Sequence, residues 1–142
     1  MEITNSQKAV ALMQSYFSTL DHEECHAIYL TAASTVIDKA MITAGSLDQT
    51  IMDTRRIVKN ALLNNAKAII LLHNHVSGEP KPSTADIKAT AQLHDALALF
   101  DINLVDHIVS GKTSYYSFAD EETHTFLDKM YSTPQPHYSE YG

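Results

Sequence analysis

Cationic residues are scarce in this sequence. Its 142 residues contain 10 Lys and Arg against 17 Asp and Glu, which gives a formal net charge of −7 with every histidine neutral. A surface that binds DNA or RNA needs several cations to displace counterions from the phosphates. No run of basic residues is present. The sequence therefore carries no strong nucleic-acid signal.

Cysteine and long apolar runs are also scarce. Cys25 is the single cysteine, which excludes an internal disulfide. The longest apolar stretch, 66–72, contains Lys67 and is far shorter than the roughly 20 residues of a membrane span. The first residues, 1–6, lack the cationic start and apolar core of a secretion signal. We therefore expect one compact cytoplasmic domain with no membrane association.

The hydrophobic pattern predicts alternating helices and strands. Apolar residues at helical spacing follow two sets of N-cap candidates, Asn5 or Ser6 and Asp53 or Thr54. An unalternating apolar run at 68–72 predicts a strand buried on both faces. The predicted order is a helix from 5 or 6, strands at 27–30 and 36–42, a helix from 53 or 54, the strand at 68–72, a helix from 83, strands at 101–109 and 114–118, and a short helix over Glu121–Tyr131. This order indicates an α/β fold with three layers, a mixed β-sheet covered by helices.

The same pattern predicts how the chain is divided. We expect an N-terminal helix at 1–23, a central domain at 24–131 and a flexible tail at 132–142, which lacks aliphatic residues and contains proline. The hairpin edge at 114–118 is predicted to be free to pair with a second copy. A homo-oligomer is therefore an expectation.

Histidine is unusually frequent. The eight histidines are at 22, 26, 73, 75, 94, 107, 124 and 137. Residues two apart in a strand point to the same side, so His73 and His75 would present both imidazoles to one point at the end of the buried strand. Asp86, in the first turn of the next predicted helix, can reach that point if the loop between folds back. Two histidines and one carboxylate are a ligand set of catalytic Zn²⁺ sites, which keep a position for water.

Each part of this pattern also has a structural interpretation. Ser83 and Asp86 form a helix-capping pattern, and an isolated His-x-His pair is often a surface feature. Ser83 can serve both roles, since a capping hydroxyl beside a cleft can still donate to a developing oxyanion. His107 is expected either to pack in the sheet or to hydrogen-bond behind the ligands. Cys25 is expected to be a buried small hydrophobe.

The stretch from His73 to Asp86 fits the pattern His-x-His, seven residues, Ser, two residues, Asp. This pattern is the signature of the JAMM (JAB/MPN) zinc metallopeptidases. The chain resembles their bacterial RadC-like subgroup from about Glu24 to Glu121, including the segments 65–75 and 101–109. The resemblance implies a JAB/MPN fold, which is cytidine-deaminase-like, with zinc held by His73, His75 and Asp86. It also implies that Ser83 assists hydrolysis of an amide or isopeptide bond in a protein or peptide.

The resemblance further implies a general-base glutamate on an earlier strand, and alignment of the segment 36–46 places it at Ala40. A methyl group cannot accept a proton, and loss of a general base typically removes about 10² to 10⁴ in rate. Asp38 and Glu79 are the candidate substitutes, although each also has the simpler interpretation of a solvated charge. Three functions therefore stay open: a zinc-dependent hydrolase, an inactive metal-binding module that recognises a protein segment, and a DNA-repair accessory factor.

Overall fold

The computed structural model describes residues 1–45, 52–126 and 137–138. Within these ranges it contains three α-helices and six β-strands. In chain order they are α1 Ser6–Phe17, β1 Glu23–Leu30, β2 Val36–Gly45, α2 Thr54–Leu63, β3 Ala68–Asn74, α3 Thr84–Ala98, β4 Asn103–Ser110, β5 Ser114–Ser117 and β6 Glu122–Thr125. None of the helices in the described ranges has the length and apolar character needed to cross a membrane.

The strand β3 lies near the centre of one mixed sheet. The strand order is β2-β1-β3-β4-β5-β6. β3 and β4 are parallel and are connected through α3, whereas the other neighbouring strands are antiparallel. All seven residues of β3 are buried, because the sheet has helices on both faces. The predicted α/β fold with a mixed sheet is confirmed.

Two separate hydrophobic cores attach the helices to the sheet. On one side, α1 packs through residues such as Phe17 against the side chains of Ile70 and its neighbours. On the other side, α2 and α3 pack through Ile57 and Leu93 against Leu71 and its neighbours. We call these sides the α1 face and the α3 face. Because consecutive strand residues point to opposite faces, the unbroken apolar run of β3 supplies both cores.

The helices begin where side chains cap them. Asn5 accepts a hydrogen bond from the N–H of Lys8 at the start of α1, and Asp53 accepts one from the N–H of Arg56 at the start of α2. Such caps satisfy backbone donors that have no partner inside the helix. The helix starts predicted at 5–6 and 53–54 are therefore confirmed.

The predicted helix over Glu121–Tyr131 is wrong where the structure describes it. Residues 122–125 form β6, which pairs antiparallel with β5, and the part of the predicted helix beyond Phe126 lies outside the described residues. Glu121 has a φ of 54° and turns the chain back toward β5, and the threonines of β6 favour extended backbone. Since β6 covers residues 114–117, the free edge expected there is also wrong.

A bulge in β4 determines which face each of its side chains occupies. Leu104 and Asp106 pair with consecutive residues of β3, so Val105 is the extra residue. Strict alternation from Leu104 would direct His107 to the α1 face. With the bulge, His107 instead lies on the α3 face, where its ring contacts Thr90 of α3. Bulges re-aim side chains in this way beside functional sites.

Only His137 and Tyr138 of the predicted tail at 132–142 lie in the described ranges. The Tyr138 hydroxyl donates to Asp106 at 2.6 Å, and its backbone N–H donates to the Thr4 carbonyl at 2.6 Å. The flexibility of the tail stays a prediction. So does the division of the chain at 23/24, although α1 shares a core with the sheet.

Asp106 makes the stability of the fold depend on pH. Burial raises the pKa of its carboxyl from 3.8 to about 6, against the opposing effect of hydrogen bonds from Tyr138, Ala119 and Ser117. Between these values the folded chain binds more protons at this carboxyl than the unfolded chain does. The stability that the protonated Asp106 carboxyl contributes is therefore lost as the pH rises from about 4 to about 6.

We expect Asp106→Asn to remove this dependence. The difference in free energy of unfolding between the variant and wild type should change by about 3 kcal/mol in favour of the variant as the pH rises from about 4 to about 6.5. Urea unfolding of both proteins across this range measures the difference. A difference that does not change with pH would contradict the assignment.

Candidate metal centre

The end of β3 and the first turn of α3 bring three ligand-type side chains together. Nε2 of His73 lies 3.1 Å from Nε2 of His75. Asp86 approaches both rings, with one carboxylate oxygen 3.6 Å from His73 Nε2 and the other 3.3 Å from His75 Nε2. One ligand atom from each of the three residues lies within 4.8 Å of the others. The structure therefore places together the three residues that the sequence analysis named as ligands.

The loop between these elements folds back because it is held against the turn that joins β4 to β5. Gly78 has a φ of +89°, a conformation that glycine adopts readily. Its carbonyl accepts the N–H of Lys112 at 3.0 Å. A Cβ at Gly111 would lie only 2.3 Å from the Gly78 carbonyl oxygen. Two residues without side chains thus permit the close approach that brings the start of α3 over the end of β3.

Ser83 and Asp86 form a capping box at the start of α3. The Ser83 hydroxyl oxygen accepts the N–H of Asp86 at 3.0 Å, and the Asp86 carboxylate accepts the N–H of Ser83 at 2.8 Å. The capping interpretation is confirmed, and it does not compete with the ligand interpretation. Because the cap fixes the Asp86 side chain, it also directs the carboxylate toward the two histidines.

The close contacts in this site affect the charges of Asp86 and His75. Burial alone would raise the pKa of Asp86, but hydrogen bonds from His73 and His75 hold that pKa well below its usual range. Burial also opposes a charge on His75, yet its hydrogen bonds with the Asp86 carboxylate and the Glu79 carbonyl raise the pKa of that ring. Asp86 is therefore a carboxylate, and it favours a cation beside it.

The outer nitrogen of each ring has its own partner. His75 Nδ1 donates to the carbonyl oxygen of Glu79 at 2.9 Å, and His73 Nδ1 lies 2.7 Å from Nε2 of His107. A carbonyl can only accept, so a neutral His75 carries its proton on Nδ1 and its lone pair on Nε2. A cation between these atoms, either a proton or a metal ion, removes the repulsion between the lone pairs and the carboxylate. The donor set fits a metal ion such as zinc.

Glu23 is a functional candidate that the sequence analysis missed. It is the first residue of β1, two positions before Cys25, which pairs with His73 at the end of the antiparallel β1–β3 ladder. Its side chain is buried, one carboxylate oxygen lies 3.4 Å from the N–H of Val76, and its charge contributes to the raised pKa of His75. The signal that could have identified Glu23 is a glutamate at the start of β1, the antiparallel neighbour of the strand that carries the His-x-His pair.

Asn74 ties the start of β1 to the metal-ligand segment. Its side-chain oxygen accepts the N–H of Glu24 at 2.8 Å, and its side-chain nitrogen donates to the carbonyl of His22 at 3.0 Å. The residue between the two ligand histidines therefore holds the backbone on both sides of Glu23. This connection keeps the Glu23 carboxylate beside His75.

Position 40 and the two predicted substitute bases, Asp38 and Glu79, do not place a carboxylate at the site. Ala40 pairs with Ala27, and its methyl group packs against the core of the α3 face. Asp38 is exposed, pairs with Tyr29 at the opposite end of β1 and accepts a hydrogen bond from its neighbour's N–H. The side chain of Glu79 is also exposed, and only its carbonyl oxygen contacts His75.

His22, His26 and Cys25 have contacts that explain them by structure and not by catalysis. His22 and His26 contact the buried carboxylate of Glu24, which also accepts a hydrogen bond from a tyrosine. Burial raises the pKa of the Cys25 thiol to about 12, so this residue is the buried hydrophobe that was expected and not a thiolate nucleophile. His107, in contrast, lies directly behind a ligand.

Comparison with known proteins identifies the family. The family model for the RadC-like JAB domain matches residues 3–123. The chain belongs to the RadC-like JAB domain family. Its RadC-like relatives include a UPF0758 protein of Flavobacterium johnsoniae, 40% identical over 120 residues, and the UPF0758 protein YfjY of Escherichia coli, 39% identical over 117 residues. These alignments cover 84% and 82% of this chain, and 52% and 73% of the respective relatives. The chain thus spans about half the length of the first relative.

The geometry predicts one metal ion per chain. We expect zinc-loaded protein to contain about one equivalent of zinc, and His75→Ala or Asp86→Ala to lose most of it, because two ligands do not complete the site. Elemental analysis after gel filtration measures the content. His94→Ala is the matched control, since this histidine is exposed on α3. Equal zinc in all four proteins would contradict the site.

The raised pKa of His75 predicts a dependence of metal affinity on pH. A metal ion needs the lone pair of Nε2, so it competes with the proton that Asp86 favours on this ring. The apparent affinity should be constant above the pKa of His75 and fall about tenfold per pH unit below it. Chelator competition between about pH 5.5 and pH 8 measures this. The onset of the loss should lie above 6.5, the ordinary pKa of histidine.

Proposed function

We propose that this chain is a zinc-dependent hydrolase that cleaves an amide or isopeptide bond in a protein or peptide. The observation that carries the proposal is the convergence of His73, His75 and Asp86 beside the buried carboxylate of Glu23. Membership of the RadC-like JAB domain family supports it. All of the proposed site residues lie within this chain.

The ligand set favours zinc over harder cations. Imidazole nitrogens suit zinc, copper, iron and nickel, whereas magnesium and calcium take oxygen ligands. Two histidines and one carboxylate leave a position for a substrate or water, as in catalytic zinc sites. When bound, zinc lowers the pKa of a coordinated water to about 7 and polarises a carbonyl oxygen.

Glu23 is the residue we assign as general base. A base must lie within reach of the proton that it removes, and one carboxylate oxygen of Glu23 lies 3.4 Å from the N–H of Val76, the residue after His75. Its other oxygen is then available to take a proton from the attacking water and to return it to the leaving amine. This assignment replaces Asp38 and Glu79, whose carboxylates are exposed.

Ser83 is the residue we assign to the developing oxyanion. Its oxygen already accepts the N–H of Asp86, so the hydroxyl proton can be donated in another direction. A donor that the helix cap holds in place requires little reorganisation when the carbonyl oxygen gains negative charge. The capping box therefore serves both the ligand Asp86 and the reaction.

The surroundings of the site support a polypeptide substrate. A groove of about 410 Å³ runs between α3 and β4 and includes Thr90 and His107 in its wall. Its remaining lining is mostly apolar, with Ile87, Leu104 and Phe118 among the residues. Such a groove can hold the apolar side chains of an extended segment on the His107 side of the site. We also propose a cytoplasmic location, on the basis of the single cysteine.

The other two functions have less support. The inactive metal-binding module was considered because Ala40 cannot act as a base, and Glu23 supplies a carboxylate at the site instead. A DNA-repair accessory role would require a cationic surface, whereas the chain carries a net charge of −7. We therefore propose neither.

The test is Glu23→Gln in the zinc-loaded chain. The variant keeps the size of the side chain but cannot accept the proton, so we expect cleavage to fall by about 10² to 10⁴ while the zinc content stays at wild-type level. Incubation with a peptide library that includes lysine-branched peptides, followed by mass spectrometry, detects new termini. Asp38→Asn and Glu79→Gln are matched controls that should leave cleavage within about twofold, since surface substitutions have small effects.

Two outcomes would contradict the proposal. If the zinc-loaded wild type produces no new termini, the hydrolase function is wrong. If Glu23→Gln cleaves as fast as wild type while Asp38→Asn or Glu79→Gln does not, the assignment of the base is wrong and the hydrolase function stands.

A further inference from the structure

A line of buried polar atoms connects the backbone of α3 to the ligand His73. The Thr90 hydroxyl lies 2.6 Å from the carbonyl oxygen of Asp86 and 2.7 Å from Nδ1 of His107. The other ring nitrogen of His107, Nε2, lies 2.7 Å from Nδ1 of His73. His107 is fully buried. These contacts form a continuous chain of three hydrogen bonds behind the metal centre.

The direction of every hydrogen bond in this line follows from its first member. The Asp86 carbonyl can only accept, so the single hydroxyl proton of Thr90 is donated to it. Thr90 must then accept from His107, which places the proton of a neutral His107 on Nδ1 and its lone pair on Nε2. His107 therefore accepts from His73 Nδ1–H, and the lone pair of His73 is left on Nε2, the nitrogen that faces His75 and Asp86.

We propose that His107, oriented by Thr90, is a positioning residue that holds His73 in the tautomer able to bind the metal. The proposal deepens the function proposed above and rests on its metal site. Reversing the hydrogen bonds between His107 and His73 would remove the lone pair that the metal ion needs. If His107 carried its proton on Nε2, it would donate to His73 Nδ1, and the proton of His73 would move to Nε2. A protonated Nε2 has no lone pair for a metal ion.

The two ligand histidines therefore differ in how their tautomers are determined. The partner of His75 is the backbone carbonyl of Glu79, which can only accept. The partner of His73 is a second imidazole, which can donate or accept and whose choice depends on Thr90. Outer partners of metal-bound histidines are typically carboxylates, carbonyls or water. An imidazole in this place makes the metal affinity depend on a residue one step further away.

The fold supports this role for the His107 ring. The bulge at Val105 directs the ring to the α3 face, and Phe118 stacks on it with ring centroids 4.7 Å apart and an interplanar angle of 5°. Stacking and burial hold the plane of the ring, but they do not distinguish its two tautomers. The Thr90 hydroxyl provides that distinction.

The test compares Thr90→Val, Thr90→Ser and wild type. Valine has nearly the shape of threonine but no hydroxyl, whereas serine keeps the hydroxyl. Long-range ¹H–¹⁵N spectra of the metal-free full chain at about pH 8 report the tautomer of His73. Chelator competition reports the zinc dissociation constant. We expect Thr90→Val to populate the Nε2–H tautomer of His73 and to weaken zinc binding by about 10- to 100-fold. Thr90→Ser should restore the Nδ1–H tautomer and an affinity within about threefold of wild type.

His94→Gln is the control on the same helix, because the His94 side chain is exposed whereas Thr90 is buried beside His107. It should leave both readouts unchanged. A Thr90→Val protein with the wild-type tautomer of His73 and wild-type zinc affinity would overturn the proposal. A Thr90→Val protein that loses affinity with no change of tautomer would also overturn it, since the effect would then be purely structural.

Failure of the proposed function gives a different result. If the chain binds zinc but cleaves no peptide, the tautomer and affinity measurements still decide the role of His107. If Thr90→Val does not fold, as judged by thermal unfolding, His107→Gln is the second variant. Its side-chain oxygen can still accept from His73, so it should keep the Nδ1–H tautomer, and an Nε2–H tautomer in this variant would count against the proposal.

Discussion

The close contact of two imidazole nitrogens with a carboxylate is the constraint on which the candidate metal centre depends, and much of the surrounding structure maintains that contact. The histidines come from the end of β3, whose seven residues are all buried. The carboxylate comes from the first turn of α3 and is held by the helix cap. β3 contributes to both hydrophobic cores and α3 to one of them, so the ligands cannot separate without disrupting this packing. The metal site is therefore prepared by the packing of the fold.

The strand order supplies the rest of the site. Because β1 is the antiparallel neighbour of β3, its first residue lies beside the end of the His-x-His segment, with a carboxylate oxygen 3.4 Å from the N–H of Val76. Because β4 is the parallel neighbour on the other side, His107 lies behind the first ligand. A glutamate on one side and a second-layer histidine on the other thus follow from a single sheet topology. The amide of Asn74, between the ligands, holds the β1 side in place.

Much of the fold could be predicted from the sequence. Capping residues marked the starts of α1, α2 and α3, and the unalternating apolar run marked β3. The ligand triad was also predictable, because its members lie in one contiguous stretch where strand alternation and helix capping determine direction. The helix predicted over 121–131 is wrong because a short polar strand shows little hydrophobic alternation in its sequence. Pairing with β5 is what stabilises β6.

Glu23 and the orientation of His107 could not be predicted in the same way. Glu23 is 53 positions along the chain from Val76, the residue whose N–H lies beside its carboxylate, and no local period connects the two. His107 reaches the α3 face only because Val105 is a bulge, and a bulge arises from the fit between two strands. The sequence by itself determined the layers, the helix starts and the grouping of the three candidate ligands, since these depend on neighbours along the chain. Only the tertiary structure decided that the Glu23 carboxylate lies beside Val76 and that the His107 ring lies behind His73, because these contacts depend on strand register.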